Sequence, residues 1–133
     1  QTYFPVTNEH MTRFFMHLDE SIDLILKAVE NGKSGDIFIP KVRSYKIMDV
    51  ATRFSIKYNK PVKIVGTRPG EKLHECLVSE SEKNRTLKIG DMYVIKYCYQ
   101  IVTPCIDFEG EYTSDLSVSS DMSEIDILID LTK

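Results

Sequence analysis

The chain has 133 residues, a formal net charge of −3 at pH 7 and an isoelectric point near 5.6. That length suits one domain or part of one, and an acidic balance with scattered basic residues argues against a nucleic-acid binder, which needs a lysine and arginine stripe. No apolar run approaches the roughly 20 residues that span a bilayer, no signal peptide opens the chain, and Gln1 in place of an initiator methionine leads us to expect a start that has been cut away. Cys76, Cys98 and Cys105 show no CxxC spacing, and His10, His17 and His74 fall at no ligand spacing with them. The expectation is reduced cytoplasmic thiols and no metal.

Residues 2–7 and 11–16 are rich in aromatic and branched side chains and are predicted short strands, with Asn8-Glu9-His10 turning between them. Ile22, Ile25, Leu26 and Val29 have the spacing of an amphipathic helix, with Asp19 as its expected N-cap and Asn31-Gly32 as its end. Ile37-Phe38-Ile39 reads as a buried strand stopped by Pro40. Ile47, Val50, Ala51, Phe54 and Tyr58 mark a second helix, capped by Ser44 and broken at Asn59-Lys60-Pro61. Residues 62–65 form the next strand. Residues 79–91 carry no sustained period, and 79–121 is expected to be an irregular excursion within a 1–133 unit, interrupted by strand composition over 92–99. Tyr112-Thr113-Ser114-Asp115 and the serines at 117, 119, 120 and 123 read as a polar connection. A terminal helix over 122–131 follows, with Ile125, Leu128 and Ile129 on one face and Ser123 as cap. The alternation of strand and helix predicts an α/β fold.

The most informative stretch is RPGEKLHE at 68–75, placed just after the strand at 62–65. The Arg68 guanidinium can donate two parallel bonds to phosphate oxygens, and the Glu71 carboxylate can accept from a ribose diol. Pro69-Gly70 favours a tight turn that lets both side chains face one pocket. Glu71 also has the place of a carboxylate capping a helix that it begins.

MTRFF at 11–15, Leu18-Asp19-Glu20, GDIFIPK at 35–41, VGTRPGEKLHE at 65–75 and YTSD at 112–115 keep an order and spacing that resembles the carboxy-terminal third of the UDP-N-acetylglucosamine 4,6-dehydratases. These are extended short-chain dehydrogenase/reductases of bacterial surface-sugar biosynthesis. Arg85-Thr86-Leu87 followed by Tyr93-Val94-Ile95 leans toward the C5-inverting branch that feeds pseudaminic acid synthesis, with the enzymes that begin UDP-N-acetyl-L-fucosamine synthesis as near neighbours. The resemblance implies an amino-terminal Rossmann domain holding NADP and a smaller carboxy-terminal lobe of short strands and helices that closes over the UDP-N-acetylhexosamine. Only the lobe is matched here. The chain has no GxxGxxG after a strand, and Tyr45, Tyr58, Tyr93, Tyr97, Tyr99 and Tyr112 each lack a lysine four residues on, so the Rossmann core is expected to be largely missing.

At single positions, the resemblance implies that Arg13 and Arg68 clamp the diphosphate from one concave face, that Glu71 accepts from the ribose hydroxyls and that Thr7 lines the uridine pocket. It implies no catalytic residue in this chain, structural roles for His74 and Glu75, and no assignable role for Lys41 and Lys72. The whole-enzyme reaction implied is oxidation at C4 by NADP, loss of water across C5 and C6, and return of the hydride to C6. The fragment alone is expected to be inactive. A cytoplasmic location, no membrane or nucleic-acid partner and a homo-oligomer are the accompanying expectations. A non-catalytic nucleotide-sugar binding remnant and a UDP-sugar epimerase of the same superfamily are the alternatives.

Overall fold

A computed structural model of the chain describes residues 2–98 and 100–131. Gln1 and Tyr99, both used in the sequence reading, lie outside the described residues. In chain order the elements are β1 (Phe4–Val6), β2 (Thr12–Phe15), α1 (Leu18–Asn31), β3 (Ile37–Pro40), β4 (Arg43–Lys46), α2 (Ile47–Tyr58), β5 (Val62–Ile64), β6 (Cys76–Val78), α3 (Glu80–Lys83), β7 (Thr86–Ile89), β8 (Met92–Ile95), β9 (Tyr112–Thr113) and α4 (Ser123–Leu131). They divide between two compact units, one made of Gln1–Phe14, Arg43–Glu75 and Ser114–Lys133, the other of Phe15–Val42 and Cys76–Thr113.

The first unit is built on a parallel pair. β1 runs beside β5 in register Phe4↔Val62 to Val6↔Ile64, and Val65 N–H continues the ladder to Val6 O at 2.9 Å. Parallel neighbours need a crossover. α2 supplies it, laying Phe54 and Tyr58 on Phe4 with ring centres 6.0 and 6.2 Å apart. β2 pairs with β4, and Val6, Met11, Tyr45, Ile125 and Ile129 are buried in this unit.

Three helix starts differ from the sequence reading, each because another group takes the exposed backbone N–H. α1 begins two residues earlier than an Asp19 cap allows. His17 is its N-cap, with the His17 N–H bonded to the Glu20 carboxylate at 2.8 Å, and Asp19 sits in the first turn. Ser44 does not cap α2. It is fully buried inside β4, and its hydroxyl donates to Ser117 O at 3.0 Å. Ser123 is already helical, and its N–H is capped by Asp121 Oδ1 at 3.0 Å.

The end of α2 fits the expected break. Asn59 adopts the left-handed conformation (φ 49°, ψ 48°), and its N–H closes on Ser55 O. Asparagine tolerates this region and alanine does not. Asn59→Ala is expected to cost about 1 kcal/mol and Asn59→Gly close to nothing, read from urea unfolding midpoints.

In the second unit β8 lies between β3 and β7, antiparallel to both, in register Ile39↔Tyr93 and Leu87↔Val94. Residues 79–91, expected to be irregular, hold α3 and β7. The two-residue connection Gly90-Asp91, with Gly90 at φ +60°, folds β7 onto β8 as a hairpin. Four strand residues with a lysine among them are too short for an alternation to stand out. The strand expected over 92–99 is β8 and ends at Ile95.

α1 is amphipathic, as its spacing predicts, but its apolar stripe does not face the unit. Ser21, Leu24, Lys27 and Ala28 are half-buried, whereas Leu18, Ile22, Ile25, Leu26 and Val29 are exposed, Leu18 and Val29 by 76% and 77%. On the inward side Lys27 Nζ reaches the Asp91 carboxylate at 3.2 Å. A contiguous apolar stripe of this kind marks an interaction surface.

Candidate functional site

Thr7 follows β1 and Arg68–Glu71 follows β5, so both segments leave the carboxyl ends of the two parallel strands. Ligands of open parallel sheets bind beyond those ends. The turn is closed by Glu71 N–H to Arg68 O at 3.1 Å, and Gly70 takes φ +81°, the sign required at the third residue of a Pro-Gly type II turn. The helix that Glu71 was expected to begin does not form, and the chain runs through bends into β6.

The Glu71 carboxylate organises the site. One oxygen, Oε2, accepts the Arg68 backbone N–H at 3.0 Å, and the other, Oε1, accepts the Thr7 hydroxyl at 3.0 Å, which ties the two loops together. The bond from Arg68 N–H, the Thr7 hydroxyl and the positive charges of Arg68 and Arg13 together hold the carboxyl below its ordinary range against the opposing effect of desolvation. Glu71 is therefore ionised at neutral pH and keeps lone pairs for further donors.

The two arginines differ in what they hold. Arg68 is exposed, and its guanidinium has no hydrogen-bond or ion-pair partner among the described residues. Arg13 is turned onto protein. Its Nη1 donates to Thr12 O at 2.6 Å and Leu73 O at 3.1 Å, its Nη2 to Lys72 O at 2.9 Å, and its Nε faces Glu75 Oε1 at 3.4 Å.

Behind this loop lies a group that the sequence reading missed. The Thr12 hydroxyl is 2.7 Å from His74 Nδ1 and 2.6 Å from the Ser114 hydroxyl, which also takes the Glu75 N–H at 2.9 Å. Thr12 and Ser114 are buried, so the trio is scaffolding for the loop. Its only signal was Ser114 within the 112–115 block, whose composition resembles an ordinary loop.

A groove of about 530 Å³ in the second unit is lined by residues including Asp36, Phe38, Val94 and Lys96, and no sequence-predicted site residue lines it. Among the described residues no group of three or more His, Cys, Asp or Glu is placed to hold a metal ion, and no helix is long and apolar enough to cross a membrane.

Fold and site together define a small α/β protein with an arginine and a carboxylate on the loop that leaves one strand of a parallel pair, tied to a threonine on the loop that leaves the other. The chain belongs to the polysaccharide biosynthesis protein family, whose profile matches residues 1–97. It is similar to the UDP-N-acetylglucosamine 4,6-dehydratase (inverting) of Campylobacter jejuni, with 36% identity over 104 residues, 78% of this chain and 30% of that protein. It is also similar to the UDP-glucose 4-epimerase of Rickettsia rickettsii, 39% identical over 92 residues, 68% of this chain and 27% of the relative. Among solved structures, that of Pen from Bacillus thuringiensis superposes with a TM-score of 0.81 at 26% identity, covering 98% of this chain and 41% of that one. The chain thus spans about 30% of the length of the curated relatives it matches.

Proposed function

We propose that this chain is the UDP-anchoring portion of a C5-inverting UDP-N-acetylglucosamine 4,6-dehydratase of surface-polysaccharide or pseudaminic acid synthesis. The observation that carries the reading is the pairing of Arg68 with Glu71 beside Thr7. A planar cation with no hydrogen-bond or ion-pair partner among the described residues suits the diphosphate, and an ionised carboxylate with spare lone pairs suits the ribose diol. Thr7 stands on the uridine side, and Arg13 adds positive charge at the same loop. Anchoring the UDP handle orients the hexose toward the reacting centre, and such remote binding energy raises turnover as well as affinity.

The NADP that the resemblance implies does not fit this chain's own residues. None of its glycines stands between a strand and the start of a helix, so no dinucleotide turn is available, and the cofactor belongs to a Rossmann portion outside this sequence. The exposed apolar stripe of α1 suits a surface that meets such a portion. A soluble cytoplasmic homo-oligomer completes the proposal.

The Rickettsia relative favours a second reading, a UDP-sugar 4-epimerase, which needs the same handle. Calorimetric titration of the purified chain tests the anchor common to both. UDP is expected to bind, and uridine to bind at least about tenfold more weakly because it lacks the phosphates that a charge-assisted contact needs. Equal affinity for the two, or none for UDP, removes the reading. The product formed from UDP-N-acetylglucosamine by a full-length enzyme separates the two activities, a 4-keto-6-deoxy sugar for the dehydratase and a 4-epimer for the epimerase.

A further inference from the structure

We infer that Arg13 is a positioning residue that clasps the loop carrying the anchor, and that a single arginine, Arg68, meets the diphosphate. The inference rests on the UDP-anchor reading for its ligand and on geometry alone for its clasp. A guanidinium has five N–H donors. In Arg13 the two on Nη1 are given to the carbonyls of Thr12 and Leu73, one on Nη2 to the carbonyl of Lys72, and Nε–H to the side of Glu75, which leaves one. Bidentate recognition of a phosphate needs two parallel donors from one edge of the fork. Arg13 can offer them only by releasing the loop.

The same loop is gripped from β2 a second time, through Thr12 N–H to Leu73 O at 3.1 Å and the Thr12 hydroxyl to His74. These bonds fix the segment immediately after the 68–71 turn. With Arg13 removed, three carbonyls lose a donor, Glu75 loses its cation, and the segment after the turn is held from β2 through Thr12 alone. The Arg68 guanidinium then samples positions away from the ligand.

The clasp has a readout that needs no ligand. The Lys72–Leu73 bond lies in an exposed stretch, and trypsin cleaves after Lys72 only when the segment detaches; Arg68 is followed by Pro69 and is not cut. Arg13→Ala is expected to speed cleavage at Lys72 by at least about tenfold, the change from losing one charge-assisted bond. Cleavage at the exposed Lys33 stays as in the parent and reports global unfolding. Arg13→Gln, which keeps two N–H donors on one nitrogen and serves if the alanine variant does not fold, falls between.

UDP affinity supplies the second arm, as a double-mutant cycle. Arg13→Ala is expected to weaken UDP binding by about tenfold alone, and by less than about twofold in an Arg68→Ala background, because a residue acting through another is coupled to it. Unchanged cleavage at Lys72, or costs that multiply across the two backgrounds, overturns the inference and makes Arg13 a direct phosphate ligand. If the parent chain binds no UDP the anchor reading fails, and the cleavage rates still decide the clasp.

Discussion

Arg68→Ala is expected to lower kcat/KM for UDP-N-acetylglucosamine by roughly 10- to 100-fold in a full-length enzyme carrying this region, the effect of losing about 1.5 to 3 kcal/mol of charge-assisted bonding. The direction follows from the state of the side chain. Its guanidinium is exposed and holds no partner among the described residues, so removal leaves the protein's own hydrogen bonds intact. Stability is therefore expected to be that of the parent, with the loss confined to ligand. Arg68→Lys is expected to recover only part of the rate, because one ammonium does not reproduce a planar fork. Glu71→Gln is expected to cost less than Arg68→Ala, since the amide oxygen can still accept from Thr7 or from Arg68 N–H. His74→Ala touches no ligand in this reading and acts only through Thr12. Steady-state kinetics on the four variants decide the matter. If His74→Ala abolishes turnover in a folded enzyme while Arg68→Ala is near normal, the lobe carries chemistry and the anchor assignment is wrong.

Much of the fold was legible because its signals are local. Helix periodicity placed α1, α2 and α4, and the Asn59-Lys60-Pro61 break matched a left-handed cap. Short-range capping was less legible, since Asp19, Ser44 and Ser123 each had the right chemistry and lost the role to a neighbour better placed. Long-range pairing was not legible at all. Nothing in residues 4–6 and 62–64 specifies that they run parallel, yet this pairing brings Thr7 beside the 68–71 turn. The roles of the two arginines were equally hidden. Both sit in motifs of one family, but which guanidinium is occupied depends on carbonyls 59 and 60 residues away. The direction of the α1 stripe was hidden too, because spacing fixes which residues share a face and not what covers it.

Lys96→Met is expected to be the most destabilising single change in the second unit, by about 3 kcal/mol, since breaking a buried pair leaves an uncompensated charge. Lys96 Nζ meets Asp36 Oδ2 at 2.5 Å, with the side chains 14% and 1% exposed, and Asp36 Oδ1 is buried with no hydrogen-bond partner among the described residues. Burial pushes the Asp36 carboxyl up. The Lys96 hydrogen bond, the Lys33 backbone N–H and the Lys96 charge outweigh it and hold the group below its ordinary value. A carboxyl lowered on folding contributes stability that is present above its unfolded value, near 4, and is lost as pH falls through the folded one. In Lys96→Met burial is opposed only by the backbone N–H groups of Lys33 and Tyr97, so the folded carboxyl is expected to move up and the sign to reverse. The variant is then expected to gain stability relative to the parent as pH falls from 7 toward 4, where Asp36 takes a proton and the buried charge disappears. Asp36→Leu combined with Lys96→Met removes both charges and is expected to return to within about 1 kcal/mol of the parent at neutral pH, as apolar replacement of buried pairs generally allows. Melting temperatures of the parent, the single variant and the double variant between pH 4 and 7 read all of this. A Lys96→Met curve parallel to the parent across that range shows that Asp36 is solvated in the folded protein and that the pair contributes no more than a surface contact.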